Sequence, residues 1–254
     1  MLSVCISAHG QDSTEATNQT ESKIRFPVWY NPSDATDIYG VSLGLFVHKD
    51  KKQTINGVNL TLTGNEYFRK DNFNDVNGIN FSVWHTGISN LNGISISINT
   101  DIIETNGIQI GLFNSNRPQM RQGEPEIIPI YGKVTSFKLG KSKLNGIQIG
   151  FTNQIFNLKG IQVGASNFSD NGKGVQIALI NFGIDFYGTQ MSILNIARDR
   201  FHGCQFGVYN SGRTKMNGLQ FGLFNYSAKL NGVQIGLINW TDENWMPIIN
   251  WNFE

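Results

Sequence analysis

The stretch "KLNGVQIGLINW" (residues 229–240) repeats a pattern found twice before it, in "KMNGLQFGLFNY" (residues 215–226) and in "RFHGCQFGVYNS" (residues 200–211). Each copy reads Gly, apolar, Gln, apolar, small, apolar, variable, Asn. A pattern that returns at a fixed spacing is the signature of a repeat architecture, in which each copy forms one structural unit. We therefore looked for the same pattern along the whole chain.

The repeat can be followed by the glycine that precedes each apolar run. These glycines are Gly93, Gly107, Gly146, Gly160, Gly174, Gly188, Gly203, Gly218 and Gly232, and from Gly146 onward they are 14, 14, 14, 15, 15 and 14 residues apart. Looser copies begin at Gly40, Gly57 and Gly78. The Gln recurs at Gln109, Gln148, Gln162, Gln176, Gln190, Gln205, Gln220 and Gln234. The Asn recurs at Asn114, Asn153, Asn167, Asn181, Asn195, Asn210, Asn225 and Asn239.

Within one unit the apolar residues alternate, as Val233, Ile235 and Leu237 do, and this alternation is the period of a β-strand. Gly, Asn, Ser, Asp and Lys between the runs are typical of turns. Each unit is therefore predicted to be one strand and one turn. Because turn lengths do not alternate between neighbouring units, we favour an all-β parallel β-solenoid with coils of 14–15 residues. The alternative is a closed antiparallel β-barrel of short strands.

A solenoid accounts for the recurring residues directly. Equivalent residues of adjacent coils stack about 4.8 Å apart, so the Gln and Asn positions are predicted to form two structural ladders of amide hydrogen bonds. The stacked Val, Ile and Leu are expected to form the core. The small residue after the second apolar position, as at Gly150 and Ala178, is expected to let another layer approach closely.

Both ends of the repeat carry distinct segments. "MPIINWNFE" (residues 246–254) alternates Ile249, Trp251 and Phe253. We interpret it as a strand that caps the stack; the alternative is the closing strand of a barrel. "IRFPVWYNP" (residues 24–32) is the corresponding N-terminal element.

The first 23 residues differ from the rest. An apolar run with small residues changes abruptly to Ser, Thr, Asn, Glu and Gln, which is typical of a secretory leader and a polar linker. Residues 1–10 are predicted to be the remnant of a signal peptide, residues 11–23 a linker, and residues 24–254 a single β-repeat domain. Residues 115–129 form an insertion with three prolines, followed by a degenerate copy at Gly132.

Composition narrows the function classes. The chain has 254 residues, 28 of them Gly, and a formal net charge of +1, so no basic excess favours nucleic acid as a partner. No run of 18 apolar residues indicates a transmembrane helix.

The units "NGIQIGLFN", "NGLQFGLFN" and "NGVQIGLIN", followed by "PIINWNF", resemble the bacterial surface-repeat proteins of Gram-negative species. The resemblance covers about residues 40–253. It implies export to the cell envelope or surface, and it supplies no catalytic residue. The loose first copies and the insertion depart from the family pattern.

Polar clusters offer little chemistry. The four histidines, His9, His48, His85 and His202, have no metal-ligand spacing, and Cys5 and Cys204 form no disulfide framework. No metal site, cofactor site or catalytic centre is predicted. Residues 64–75, rich in charge, are either a solvated loop or a glycan or cation site.

Two columns remain open to more than one interpretation. The aspartates Asp170, Asp185, Asp199 and Asp242 form turns or, alternatively, a row of cation ligands. The aromatic residues Phe113, Tyr209, Phe224, Tyr226 and Trp240 pack as a second face of the strands or, alternatively, form a stripe for sugars.

The sequence therefore predicts an exported, non-enzymatic repeat protein of the bacterial cell envelope or surface, acting as a scaffold or adhesion surface. Its partner is an unidentified surface component or glycan. The first alternative is an outer-membrane barrel that acts as a pore or anchor. The second is a β-helix enzyme that acts on polysaccharide.

Overall fold

The computed structural model describes residues 24–25, 28–31, 37–46, 52–63, 74–115 and 142–253. This part of the chain is β-structure without a helix. The strands are β1 (Ile24–Arg25), β2 (Val28–Asn31), β3 (Asp37–Phe46), β4 (Thr54–Thr63), β5 (Asn74–Ile110), β6 (Phe113–Ser115), β7 (Lys143–Ile177), β8 (Ile180–Trp240) and β9 (Trp245–Asn252). The longest of these strands run through several successive coils without interruption.

The coils stack in parallel, which confirms the predicted β-solenoid. Gly40 pairs with Gly57, Gly57 with Gly78, and later Gly174 with Gly188. Gly40, Gly57 and Gly78 therefore begin true coils despite their longer spacing. Among the described strand pairs, only β8 and β9 are antiparallel, so the closed antiparallel barrel considered as an alternative is not the fold of this chain.

The repeated glycine is required by its backbone. Twelve stacked glycines have a φ between 105° and 149°, a region that other residues rarely adopt: Gly40, Gly57, Gly78, Gly93, Gly107, Gly146, Gly160, Gly174, Gly188, Gly203, Gly218 and Gly232. A Cβ atom on Gly174 would overlap the carbonyl oxygen of Gly160 in the coil below. The column therefore consists of glycine because both the dihedral angle and the close coil spacing exclude a side chain.

The core is not built as the sequence predicted. Val233, Ile235 and Leu237 lie outside the core, whereas Gln234 between them is fully buried. The buried apolar residues come mainly from the segments between the repeated motifs, and they form two clusters. One contains Leu144, Ile155, Leu158, Phe186, Ala197, Phe201, Met216 and Leu230; the other contains Ile38, Ile55, Val76, Ile88, Leu91 and Ile102.

The physical reason for this correction is the ambiguity of alternation. A strand with period two places its Gln and its flanking apolar residues on opposite faces, but the pattern does not say which face is inside. Burial of the amide costs little here because each amide finds an equivalent partner in the next coil. The apolar residues next to it are therefore directed outward.

The ends agree with the sequence interpretation. β1 and β2 pair in parallel with β3, which makes residues 24–31 part of the stack. β9 pairs antiparallel with the last coil, from Gly232 opposite Asn252 to Trp240 opposite Trp245. It is thus the capping strand predicted for residues 246–254.

The coils that begin at Gly107 and Gly146 are direct neighbours, since Gly107 pairs with Gly146 and Gln109 with Gln148. Ser115 pairs with Gln154 and belongs to the sheet. The rest of the predicted insertion and the copy at Gly132 lie outside the described residues. The direct pairing leaves no place for another coil between these two.

Candidate functional site

The sixteen Gln and Asn residues singled out in the sequence lie inside the solenoid and are buried. In the Gln column, each side-chain Nε2 donates to Oε1 of the Gln in the preceding coil. The seven distances from Gln148 to Gln234 are 2.6–2.9 Å. The column starts at Gln109, whose Nε2 donates to Thr105 Oγ1 at 2.6 Å.

The Asn column runs in the opposite direction. Each Asn Nδ2 donates to Oδ1 of the Asn in the following coil, over 2.7–3.1 Å between Asn114 and Asn239. The same nitrogen also donates to a backbone carbonyl of that coil, for example from Asn181 to Met191 O at 3.0 Å. This second acceptor fixes which end of the amide is nitrogen, so the direction of the ladder is determined. Since the two ladders donate in opposite directions, their dipoles oppose each other along the stack.

A third amide column was missed in the sequence. The residue before the repeated glycine is Asn in several coils, and Asn77, Asn92, Asn106 and Asn145 each donate to the Asn of the preceding coil at 2.8–3.0 Å. This outer column is more exposed than the inner ones. Later coils replace it with other residues, including Tyr187 and His202, whose rings stack with centroids 4.6 Å apart. The recurring dipeptide Asn-Gly was the signal that should have indicated it.

Two apolar columns run along the outside of the stack. Numbering each coil from its glycine as position 0, the residues at positions 3 and 5 point outward. The third-position ridge comprises Leu43, Leu60, Phe81, Ile96, Ile110, Ile149, Val163, Ile177, Met191, Phe206, Phe221 and Ile235. The fifth-position ridge comprises Leu62, Val83, Ile98, Leu112, Phe151, Ala165, Leu179, Ile193, Val208, Leu223 and Leu237. Most of these side chains are exposed.

Small residues at position 4 form the floor between the two ridges. At Gly150, a Cβ would overlap the backbone of Gly111 and lie 2.5 Å from the Asn114 amide nitrogen. The small residue therefore allows close approach, as predicted, but the group that approaches is the neighbouring coil and its amide ladder. From Phe81 to Gly164 the ridges enclose an open apolar groove of about 650 Å³.

The cap extends this surface. Ile249 lies opposite Ile235 of the third-position ridge, and Trp251 lies opposite Val233 at position 1. Ile248 next to them has a φ of 68°, and 72 % of it is exposed. A β-branched residue in this region of backbone space is strained. The chain therefore holds a large apolar side chain in solvent at a position where glycine would be relaxed.

The aromatic residues expected to pack as a second face are not in the core. Phe113 and Phe224 are exposed. The ring of Trp240 lies 5.5 Å from that of Tyr226 and 6.0 Å from that of Tyr209, so these three form a surface cluster. The expectation of a packed second face was wrong because these positions lie outside the amide columns.

The aspartate column is used for contacts between neighbouring coils. The carboxylate of Asp185 accepts two hydrogen bonds from Arg200, at 2.9 and 3.0 Å, and these bonds lower the pKa of Asp185. Asp242 accepts a bond from the Tyr226 hydroxyl at 2.8 Å. Burial raises the pKa of Asp170. Within the described ranges, no group of three or more His, Cys, Asp or Glu side chains is arranged to hold a metal ion.

His85 occupies the Asn position of its coil and is buried. Burial lowers its pKa from the ordinary value of 6.5, and the carboxylate of Asp101 in the next coil raises it by a smaller amount. His85 is therefore held neutral by the stack. His9, His48, Cys5 and residues 64–73 of the charged segment lie outside the described residues, and Cys204 is a free thiol.

In the part of the chain with described structure, no helix has the length and apolar character required to cross a membrane. The geometry thus presents two buried amide columns that hold the stack together and one apolar outer surface that can contact another molecule. No family model, curated protein or solved structure matches the chain.

Proposed function

We propose that this chain is an exported, non-enzymatic repeat protein of the bacterial cell envelope or surface. Its solenoid acts as a scaffold, and its apolar ridges act as the contact surface. The observation that carries the proposal is the pair of ridges, which continue from coil to coil. The resemblance of the motif to bacterial surface-repeat proteins and the leader-like first residues support export.

The stack suits this role because its interior is fixed by a repeated set of contacts. Each coil is bonded to the next through its backbone, its Gln and its Asn. A surface built on such a scaffold keeps its shape, and a pre-formed surface loses less conformational entropy when it binds. The described residues at positions 3 to 5 carry no charge, so the contact is apolar and does not depend on attraction between opposite charges.

The proposal is tested with the natural full-length gene in a Gram-negative host. Fractionation and protease treatment of intact cells report whether the protein leaves the cytoplasm and reaches the surface. Attachment of the cells to bare cells, to glycan-coated beads and to alkyl-coated beads reports whether it binds. We expect surface exposure and attachment to at least one of these targets.

A ridge variant with Leu112→Lys and Phe151→Lys should remain at the surface and lose attachment, because both side chains line the groove. The matched control, Gln154→Lys with Asn171→Lys, adds the same charge at exposed positions away from the ridges and should attach normally. Recovery of the protein only from the cytoplasm, or equal attachment by both variants, would contradict the proposal.

A further inference from the structure

The apolar ridges are larger than the exposed apolar surface that a monomer usually carries. Twelve stacked glycines mark eleven steps of about 4.8 Å, so the ridges are about 53 Å long. Positions 1 to 5 span four residues of about 3.3 Å each, which gives a width of about 13 Å. The resulting area of about 700 Å² exceeds the 300–600 Å² typical of the largest patch on a monomer.

This area agrees with what a stable dimer needs. A standard protein interface buries about 800 Å² on each partner. Residues of β9 add to the available surface, since Ile249 and Trp251 continue the outward columns and 60 % of Trp251 is exposed. An apolar surface of this size, without charged residues at its described positions 3 to 5, is typical of an interface between copies of one chain.

The shape of the surface is complementary to itself. The two ridges are separated by two residues, or about 7 Å, and the floor between them consists of small residues. A ridge from a second copy can therefore enter the groove of the first, while the groove of the second receives a ridge in return. This reciprocal contact is what a two-fold axis requires. The spacing of about 4.8 Å along the ridges is also the same in both copies, so side chains can interdigitate along the full length.

We infer that the apolar ridges are a homodimer interface, and that a second copy of this chain packs face to face on the first. The inference rests on the proposed function in one respect, because it names the partner of the contact surface proposed there. The exposed and strained Ile248 is consistent with it: strain is retained where a side chain is needed for contact. In the dimer, Ile248 lies at the end of the buried surface.

The test is the mass of the purified full-length chain in dilute solution, measured by sedimentation equilibrium between about 1 and 100 μM. These concentrations bracket an affinity usual for such an area. We expect a species of twice the chain mass of 28.3 kDa. The ridge variant Leu179→Lys with Ile193→Lys changes two side chains that are each 57 % exposed. It should fold, with unchanged circular dichroism, and its dissociation constant should rise at least tenfold.

The matched control is again Gln154→Lys with Asn171→Lys, which should dimerise as the wild type does. If the lysine variant fails to fold, Leu179→Ser with Ile193→Ser replaces it. A wild-type chain that remains monomeric at 100 μM overturns the inference, and so does a folded ridge variant that still dimerises. Monomers that co-sediment with neutral phosphatidylcholine vesicles, with the ridge variant failing to do so, overturn it in favour of a lipid surface.

These outcomes are separable from those of the proposed function. A monomeric chain that is exported and mediates attachment removes the dimer and leaves the function with a different partner. A dimer that is found only in the cytoplasm removes the function and leaves the interface.

Discussion

Asn250 closes the Gln column of the solenoid: its Nδ2 donates to Gln234 Oε1 at 2.9 Å, and its side chain is almost fully buried. Gln234 donates in turn to Gln220 at 2.7 Å. The Asn column ends on the same strand, where Asn239 Nδ2 donates to Met246 O at 3.3 Å. One short antiparallel strand thus terminates both inner ladders, and it does so in different ways because the two ladders donate in opposite directions.

The cap provides the first prediction. Asn250→Asp replaces the donor with a carboxylate that faces Gln234 Oε1, so at pH 7 the variant should lose about 1–3 kcal/mol of unfolding free energy. At low pH the protonated acid can donate the missing bond, so the difference from wild type should shrink. Urea unfolding at both pH values measures this. Asn252→Asp, at an exposed position of the same strand, is the control and should have little effect; an equal loss there would show that β9 responds to charge alone.

The middle of the Asn column provides the second prediction. Asn181 is fully buried; it donates to Asn195 Oδ1 at 3.1 Å and to Met191 O at 3.0 Å, and it accepts from Asn167 at 3.1 Å. Asn181→Leu leaves these partners unpaired, so we expect a loss of about 2–4 kcal/mol in urea unfolding. Asn171→Leu, at an exposed position, is the control. A loss below about 0.5 kcal/mol at Asn181 would mean that the buried ladder contributes nothing.

The glycine column provides the third prediction. Gly174→Ala introduces a Cβ at a φ of 141° and against the carbonyl oxygen of Gly160. Both effects oppose folding, and the loss should be at least about 2 kcal/mol. Gly164→Ala serves as the comparison, because the next coil carries Ala178 at the same position and the stack accommodates it. Thermal unfolding should rank Gly174→Ala well below Gly164→Ala; the reverse order would contradict the argument from backbone conformation.

The buried His85 provides the fourth prediction. Burial lowers the pKa of His85 in the folded chain, so below about pH 6.5 the unfolded chain binds a proton that the folded chain resists. The stabilising effect of neutral His85 is therefore complete above about pH 6.5 and is lost as the pH falls, by up to about 1.4 kcal/mol per pH unit. Unfolding by urea between pH 8 and pH 5.5 should show this slope. In His85→Asn, which restores the residue typical of the column, the slope should decrease; an unchanged slope would assign it to other groups.

The junction between two coils provides the fifth prediction. Gly107 and Gly146 pair directly although they are 39 residues apart. Replacing residues 116–141, which number 26, with Gly-Ser would reduce this separation from 39 to 15, a spacing already found between Gly188 and Gly203. We expect the midpoint of thermal unfolding to stay the same or rise slightly, because a shorter loop costs less entropy to close. A lower midpoint would show that the replaced residues stabilise the stack. Deletion of Thr189 alone, inside a paired coil, is the contrasting variant: it shifts the alternation of its strand and should be strongly destabilising.

Several features of this molecule follow from the sequence by itself. The spacing of Gly, Gln and Asn determined the coil length and the parallel stack, because identical residues at 14–15-residue steps can all meet their equivalents when coils run the same way. The turn lengths separated the solenoid from the barrel. The aromatic C-terminus indicated a cap. These inferences succeeded because each concerns the relation between a residue and its own copy in the next unit, which the sequence displays.

The tertiary structure decided which side of each strand is inside. Alternation at Val233, Gln234 and Ile235 is compatible with either choice, and the hydrophobic effect alone favours the wrong one. The stack inverts that preference because Gln234 is bonded to Gln220 on one side and to Asn250 on the other, so its burial leaves the amide paired. The turn residues, such as Phe186 and Phe201, whose stacked rings lie 5.8 Å apart, then supply the apolar core. The strand residues remain outside as ridges, because a coil this narrow has room for one inward row from each stretch of chain.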